Sequence, residues 1–416
     1  MVYRKYIIFF NIVLILCVSG KTNAQILSLE EAEKEVLENN PDIGAAEFRQ
    51  KAAEERIPQV EALEDPMIGV EFYNTPIDTI DITRSEDIDF KIRQNIPFPG
   101  KLRTHGNVAR NDARLVEEKE RTQIQDILYD LRMSYYDMWA LDHLLAINKK
   151  NQEIVREILE SFKISYATGK TTLDASLKQE IEASKLRNEE IVLTSERNTH
   201  RAHLRALLGS KTHEVIDLPN ELTKPNLHWT VEELQEIAAN ERPELHILDA
   251  QIKRDDSHIT EVTQNLIPDF SFGFAYKENP AGKNLWAFEA MVNVPIFFWS
   301  KNRAEIREAE MLKKVSEQER SSLHFHTYHE IEEAYTTLRA LDAIIASYEK
   351  EILPKSKTNL IIAKTAYETN KIDFITLREA ERSYHELEIP YYEAQGNFGK
   401  SQARLERILG KRLEDL

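Results

Sequence analysis

The chain has 416 residues, with 12 glycines, 30% charged residues and a formal net charge of −17. So acidic a balance argues against a nucleic-acid partner and is neutral or favourable towards a path taken by cations. Few glycines and many charges suit long helices built from Ala, Leu, Glu, Lys, Arg and Gln.

At the amino terminus Arg4 and Lys5 precede an apolar stretch from Tyr6 to Val18 and a small-residue site, Thr22-Asn23-Ala24. This is the pattern of a cleaved export signal over residues 1–24. Cys17 is the single cysteine and follows Leu16 rather than a small residue, so no lipid anchor is expected. Cleavage removes Arg4, Lys5 and Lys21 and no acid, which leaves 51 basic against 71 acidic residues in a chain starting near Gln25. That chain has no cysteine and forms no disulfide, so its stability must come from burial and assembly. Beyond the signal no window of about 18 apolar residues remains. Any membrane crossing must use strands.

From residue 25 onward the chain repeats itself, 25–226 against 227–416. The opening Leu27-Ser28-Leu29-Glu30-Glu31-Ala32, leading to Asn40-Pro41, parallels Trp229-Thr230-Val231-Glu232-Glu233-Leu234, leading to Arg242-Pro243, at an offset of 202. Ser28 with Glu31, and Thr230 with Glu233, have the spacing of a capping box. Asn95-Ile96-Pro97 matches Asn293-Val294-Pro295; Tyr166 to Lys170 matches Tyr367 to Lys371; Ala202 to Gly209 matches Ala403 to Gly410. Four landmarks in order at nearly constant offset mark a duplication. Each half reads as a short helix, a hairpin, a long helix, a tight turn and a second long helix.

The hairpins, 66–96 and 268–296, alternate. Ile68, Val70 and Phe72 share one face of the first strand, and Ile88, Phe90 and Ile92 one face of the second, opposed by charges. Phe270, Phe272, Phe274 and Tyr276 line the third strand, and Trp286, Phe288, Ala290 and Val292 the fourth. Alternation alone fits a sheet packed on a soluble core equally well. Four strands cannot close a spanning barrel, since the smallest has about 8, and open edges are not left in lipid. The hairpins must stay out of the membrane or be pooled among copies.

The helix pairs span 100–209 and 300–410. Ile124, Ile127, Leu131, Tyr135, Met138, Leu141 and Leu145 recur at steps of three and four, an apolar seam on a helix running from Leu102 to about Tyr166 without internal proline. About 65 residues at about 1.5 Å each reach roughly 100 Å, far beyond a globular domain. In the second half Pro354 is expected to kink or interrupt the matching helix. Gly209 and Gly410 stand where the return helices should be capped.

With these residues in view the chain resembles the TolC family of outer-membrane efflux proteins over residues 27–410. The resemblance implies a mainly α protein with membrane β structure. Three copies would share one β-barrel and one long α-helical coiled-coil barrel, receiving cargo from an inner-membrane pump of the resistance-nodulation-division type through a periplasmic adaptor. It implies a passive duct with no enzymatic activity and no cofactor, in contact with outer-membrane lipid and with no nucleic acid. By position the adaptor-contacting tips are Thr168, Gly169, Lys170 and Thr171 in the first half and Thr369, Asn370, Lys371 and Ile372 in the second, where Asn370 replaces the family's common glycine. Family members often gate the tip with aspartates where this chain offers Thr376 and Glu379. Ile96-Pro97-Phe98-Pro99-Gly100-Lys101-Leu102 looks like the heavy-metal branch.

Other classes leave fewer marks. His324, His326, His329 and Glu330 lie within one helix, but only His326, His329 and Glu330 could share a face, which is too few for a closed zinc site. No metal site, phosphate loop or nucleophile elbow is expected. A soluble periplasmic coiled-coil scaffold capped by the hairpins is the alternative of another class; a duct for drugs or secreted protein is the alternative within the fold.

Overall fold

The computed structural model describes residues 27–75, 81–82, 85–167, 173–209, 217–279 and 282–416. The expected export signal, residues 1–24, and the expected first tip, Thr168 to Thr171, lie outside the described residues.

A capping box opens each half. Glu31 donates its backbone N–H to the Ser28 hydroxyl (3.3 Å) while its carboxylate accepts the Ser28 N–H (3.1 Å); Glu233 and Thr230 repeat this at 3.2 and 2.8 Å. These caps start α1 (Leu29–Asn39) and, in the second half, α5 (Val231–Glu241). Each helix is followed at once by another that begins with proline, α2 (Pro41–Glu61) and α6 (Pro243–Gln264). Proline is tolerated at a helix's first position but forces the residue before it to be extended, as Asn40 and Arg242 are. Each half therefore opens with two helices rather than the one short helix expected. The proline marks a joint, not a stop.

Then come the strands, β1 (Met67–Tyr73) and β2 (Asp87–Ile96), β3 (Asp269–Glu278) and β4 (Leu285–Asn293), in one antiparallel sheet of order β1-β2-β3-β4. Its central seam joins β2 of the first half to β3 of the second, with Phe90 opposite Tyr276 and Ile92 opposite Phe274.

Long helices follow each hairpin. α3 (Lys101–Ala167) is 67 residues, about 100 Å at 1.5 Å per residue, and returns as α4 (Leu173–Leu208). In the second half a π-helical turn, Phe298–Asn302, leads into α7 (Arg303–Ser347), a second π turn, Tyr348–Ile352, α8 (Leu353–Glu368) and the return helix α9 (Phe374–Leu409). The disturbance expected at Pro354 takes the form of that second π turn. Proline has no N–H to offer one turn back, and just before it the Leu353 N–H reaches the Tyr348 carbonyl instead.

Two equivalent cores sit where the short helices cross the long ones. Leu131, Tyr135, Met138, Leu204 and Leu208 pack with Ala32 and Val36; Ile331, Tyr335, Leu338, Leu405 and Leu409 pack with Leu234 and Ala238. Even the buried hydroxyls match, Tyr135 donating to the Leu27 carbonyl and Tyr335 to that of Trp229. The halves are pinned together by Arg132 of α3, which donates to Glu33 of α1 and Glu406 of α9, each at 2.6 Å, with all three side chains buried.

Candidate functional site: an apolar sheet face and a helical tip

Registered pairing places Ile68, Val70, Phe72, Ile88, Phe90, Ile92, Phe270, Phe272, Phe274, Trp286 and Phe288 on one face of the sheet. Nine of them are exposed in the protomer; Ile88 and Phe270 are half-buried. Phe272 stacks on Phe288 at 6.1 Å and Phe274 on Trp286 at 6.4 Å, diagonal contacts that brace an aromatic surface with no protein over it. So large an apolar face, continuous and mostly exposed, goes well beyond the singly scattered apolar residues of an ordinary surface. The opposite face is ionic: Lys91 meets Glu71 at 2.5 Å, Lys277 meets Asp87 at 2.7 Å and Arg93 meets Glu289 at 3.0 Å. No helix among the described residues is long and apolar enough to cross a membrane.

At the sheet's lower rim the two halves interlock. The Lys101 ammonium donates to the Ile267 carbonyl at 2.7 Å and to Asp269, whose carboxylate also accepts the Phe98 N–H at 2.8 Å.

At the far end of the helices the second tip is built by turn chemistry. Asn370 has φ 55°, and the Lys371 N–H bonds the Ala366 carbonyl at 2.8 Å while the Asn370 N–H bonds that of Tyr367 at 2.9 Å. This pair of bonds is a Schellman motif, which needs a left-handed residue; asparagine is the side chain that adopts that conformation most readily after glycine. Asp373 then caps α9 by accepting the Thr376 N–H at 2.8 Å, and hydrogen bonds from Thr376 hold its carboxyl below the usual aspartate range. A group depressed in this way contributes stability above the ordinary carboxylate range and loses it as pH falls through its lowered value. Asp373→Ala should cost about 1 kcal/mol. Faster hydrogen exchange confined to the first turn of α9 checks the loss, and acidifying the parent chain through that lowered value should approach the same state; exchange unchanged in both would remove the cap from the account.

The gate candidate Glu379 is not a free acid. It lies 3.2 Å from Arg382, which also approaches Glu182 of α4 at 3.4 Å. One turn nearer the tip Arg378 pairs with Glu157 of α3 at 2.7 Å and with Glu381 at 2.5 Å. These two arginines, missed in the sequence, tie α9 across to α3 and α4. Their only local signal is Arg at four-residue spacing among acids, which any solvated helix can show. Glu330 is taken by Arg242 at 2.7 Å, away from a joint site with His326 and His329, and among the described residues no group of three or more His, Cys, Asp or Glu could hold a metal.

Comparison with known proteins gives the fold its relatives. The chain is similar to a membrane protein from Pseudomonas aeruginosa at 17% identity and TM-score 0.76, covering 94% of this chain and 93% of that one. It is similar to CusC, whose structures concern folding and transmembrane channel formation, at 16% identity and TM-score 0.72, covering 92% of each. It is also similar to VceC, an outer membrane protein of Vibrio cholerae, at 16% identity and TM-score 0.73, covering 92% and 96%. At such identities these likenesses show the fold alone. No curated protein matches the sequence significantly. The profile of outer membrane efflux proteins matches twice, at residues 33–210 and 234–411, one match to each half. The chain belongs to the outer membrane efflux protein family.

Proposed function

We propose that three copies of this chain form a passive duct through the outer membrane, pooling their four-stranded sheets into one barrel and their long helices into one periplasmic tube. The observation that carries the reading is the sheet itself. It has a continuous apolar face of eleven side chains, nine of them exposed, an ionic reverse face and two edges, β1 and β4, without strand partners among the described residues. In lipid such edges must be closed, and cyclic assembly of identical copies closes them. Residues 1–24 serve as the export signal, and 25–226 and 227–416 are the two repeats of the protomer.

In this duct the tips at Thr168 to Thr171 and Thr369 to Ile372 meet the periplasmic adaptor, which hands on cargo from a pump of the resistance-nodulation-division type. Thr376 and Glu379 line the entrance, where Arg378 and Arg382 hold α9 against α3 and α4. Cargo is heavy-metal cations, a reading supported by the Ile96 to Leu102 segment and the acidic chain rather than by any bound-metal geometry; a duct needs passage, not a ligand set. Protein extracted from outer membranes should run as a trimer in mild detergent and collapse to monomer on boiling, and deletion should raise sensitivity to metal ions. A water-soluble periplasmic monomer would instead favour the coiled-coil scaffold, and a deletion sensitive to drugs but not metals would reassign the cargo.

A further inference from the structure

We infer that β4 pairs antiparallel with β1 of the next copy of this chain in the register that sets Phe288 opposite Phe72, and that Lys301 latches onto Asp65 of that copy. The inference rests on the trimeric duct reading and adds which residues meet.

The template is the seam already present inside one chain, where β2 of the first half meets β3 of the second. Asn95 and Pro97 correspond to Asn293 and Pro295, so β2 maps onto β4 at an offset of 198. Both hairpins keep one register, Met67 opposite Arg93 and Ser271 opposite Met291, which fixes the offset from β1 to β3 at 204. Asp65 with Asp269 and Gly69 with Gly273 carry that second offset in the sequence. Moving the internal pair Phe90–Tyr276 by these offsets gives Phe288–Phe72 across the open edges, followed by Ala290–Val70 and Val292–Ile68. Every pair then keeps apolar side chains on one face. Face matching alone would also allow a slip of two residues, so the internal seam is what selects the register.

The rim supplies an independent sign. Inside the chain Lys101 is 6% exposed and is held by Asp269 and the Ile267 carbonyl. Its counterpart Lys301 is 74% exposed, with Glu305 4.0 Å away, and Asp65, counterpart of Asp269, is exposed and makes no hydrogen bond or ion pair among the described residues. At the internal seam a buried lysine is paired with a part-exposed aspartate, whereas at the outer one the counterparts of both are exposed and apart. The helices repeat the sign. Asn111 and Asp112 of α3 meet Ser257 and Arg254 of α6, whereas their counterparts Met311 and Leu312 on α7 are apolar and exposed. At the offset of 200 for the long helices and 202 for the short ones, Leu312 falls opposite Ala52 and Met311 opposite Glu55 on α2 of the next copy, beside the exposed Phe48.

Because the exported chain has no cysteine, engineered pairs are its only thiols. Directly opposed strand residues lie about 4.5–5.5 Å apart at Cα, within disulfide range, while residues two places off lie at about 7–8 Å. Oxidised Ala287→Cys/Tyr73→Cys protein should run as a covalent trimer on a boiled, non-reducing gel and return to monomer with reductant. Ala287→Cys/Glu71→Cys and Ala287→Cys/Thr75→Cys should crosslink about tenfold less. Lys301→Glu should lower the temperature at which the unboiled trimer dissociates, and adding Asp65→Lys should restore it. A trimer that crosslinks best at a shifted pair, or at none, overturns the seam but leaves the duct. A chain that is monomeric before oxidation overturns both.

Discussion

Arg132→Met should be among the most damaging single changes in the helical body, with a loss of about 3–5 kcal/mol. Burial works against the Arg132 charge, but Glu406 and Glu33 outweigh it and hold the guanidinium above its ordinary pKa. Removing the arginine leaves two buried carboxylates without their shared cation, and among the described residues Arg412 stays 3.5 Å from Glu33. Glu406 also anchors the chain's end, accepting the Leu413 N–H at 3.1 Å and the Gln402 amide at 3.0 Å, so the C-terminal turn should loosen as well. Inactivation half-life on heating is the suitable measure for an assembly that unfolds irreversibly. Arg320→Met is the matched control: its pair with Asp249 is more than a third exposed and should be worth less than about 1 kcal/mol. Adding Glu33→Gln and Glu406→Gln to Arg132→Met should recover much of the loss. Equal half-lives for the Arg132 and Arg320 variants would show that the buried triad does not hold the halves together.

Gly209→Ala and Gly410→Ala should each cost more than about 2 kcal/mol, for two reasons that add. Both glycines have left-handed backbone, φ 62° and 74°, where a β-carbon is opposed by its own carbonyl. Each also lies against the end of a short helix: a β-carbon on Gly209 would stand 2.5 Å from the Asn39 carbonyl oxygen, and one on Gly410 closer still to that of Glu241. These contacts dock the return helix onto the proline joint of its own half. Gly100 separates the two causes, since φ there is 103° but nothing lies within 4 Å of an added β-carbon. Gly100→Ala should therefore lose less in thermal unfolding than either; a loss as large would assign the whole effect to backbone conformation.

How far the sequence could be read follows from the range of each interaction. Period-two alternation put Ile68, Val70 and Phe72 on one face because strand side chains alternate whatever lies around them. The Asn370 turn was legible for a similar reason, since a left-handed residue after a helix is a local demand. The second helix of each half was missed at Pro41 and Pro243, where proline permits a new helix as readily as it ends one. Lys101 with Asp269 lies 168 residues apart, and Arg132 with Glu406 lies 274 apart. No local pattern distinguishes those side chains from their many exposed neighbours. The arginines above the tip were hidden the same way, because their partners Glu157 and Glu182 sit on other helices.

The two π turns keep a record of how the halves diverged. Between Pro97 and Lys101 there are two fewer residues than between Pro295 and Lys301, and the longer copy contains the turn Phe298–Asn302. Tyr135 and Tyr335 stand 200 apart but Tyr166 and Tyr367 stand 201 apart, and the turn Tyr348–Ile352 lies between. A π turn closes its hydrogen bonds one residue further back than an α turn, so it takes up a difference in length without ending the helix. Both turns therefore lie where the second copy is longer than the first, and at the second of them Pro354, with no N–H to offer, favours the wider turn.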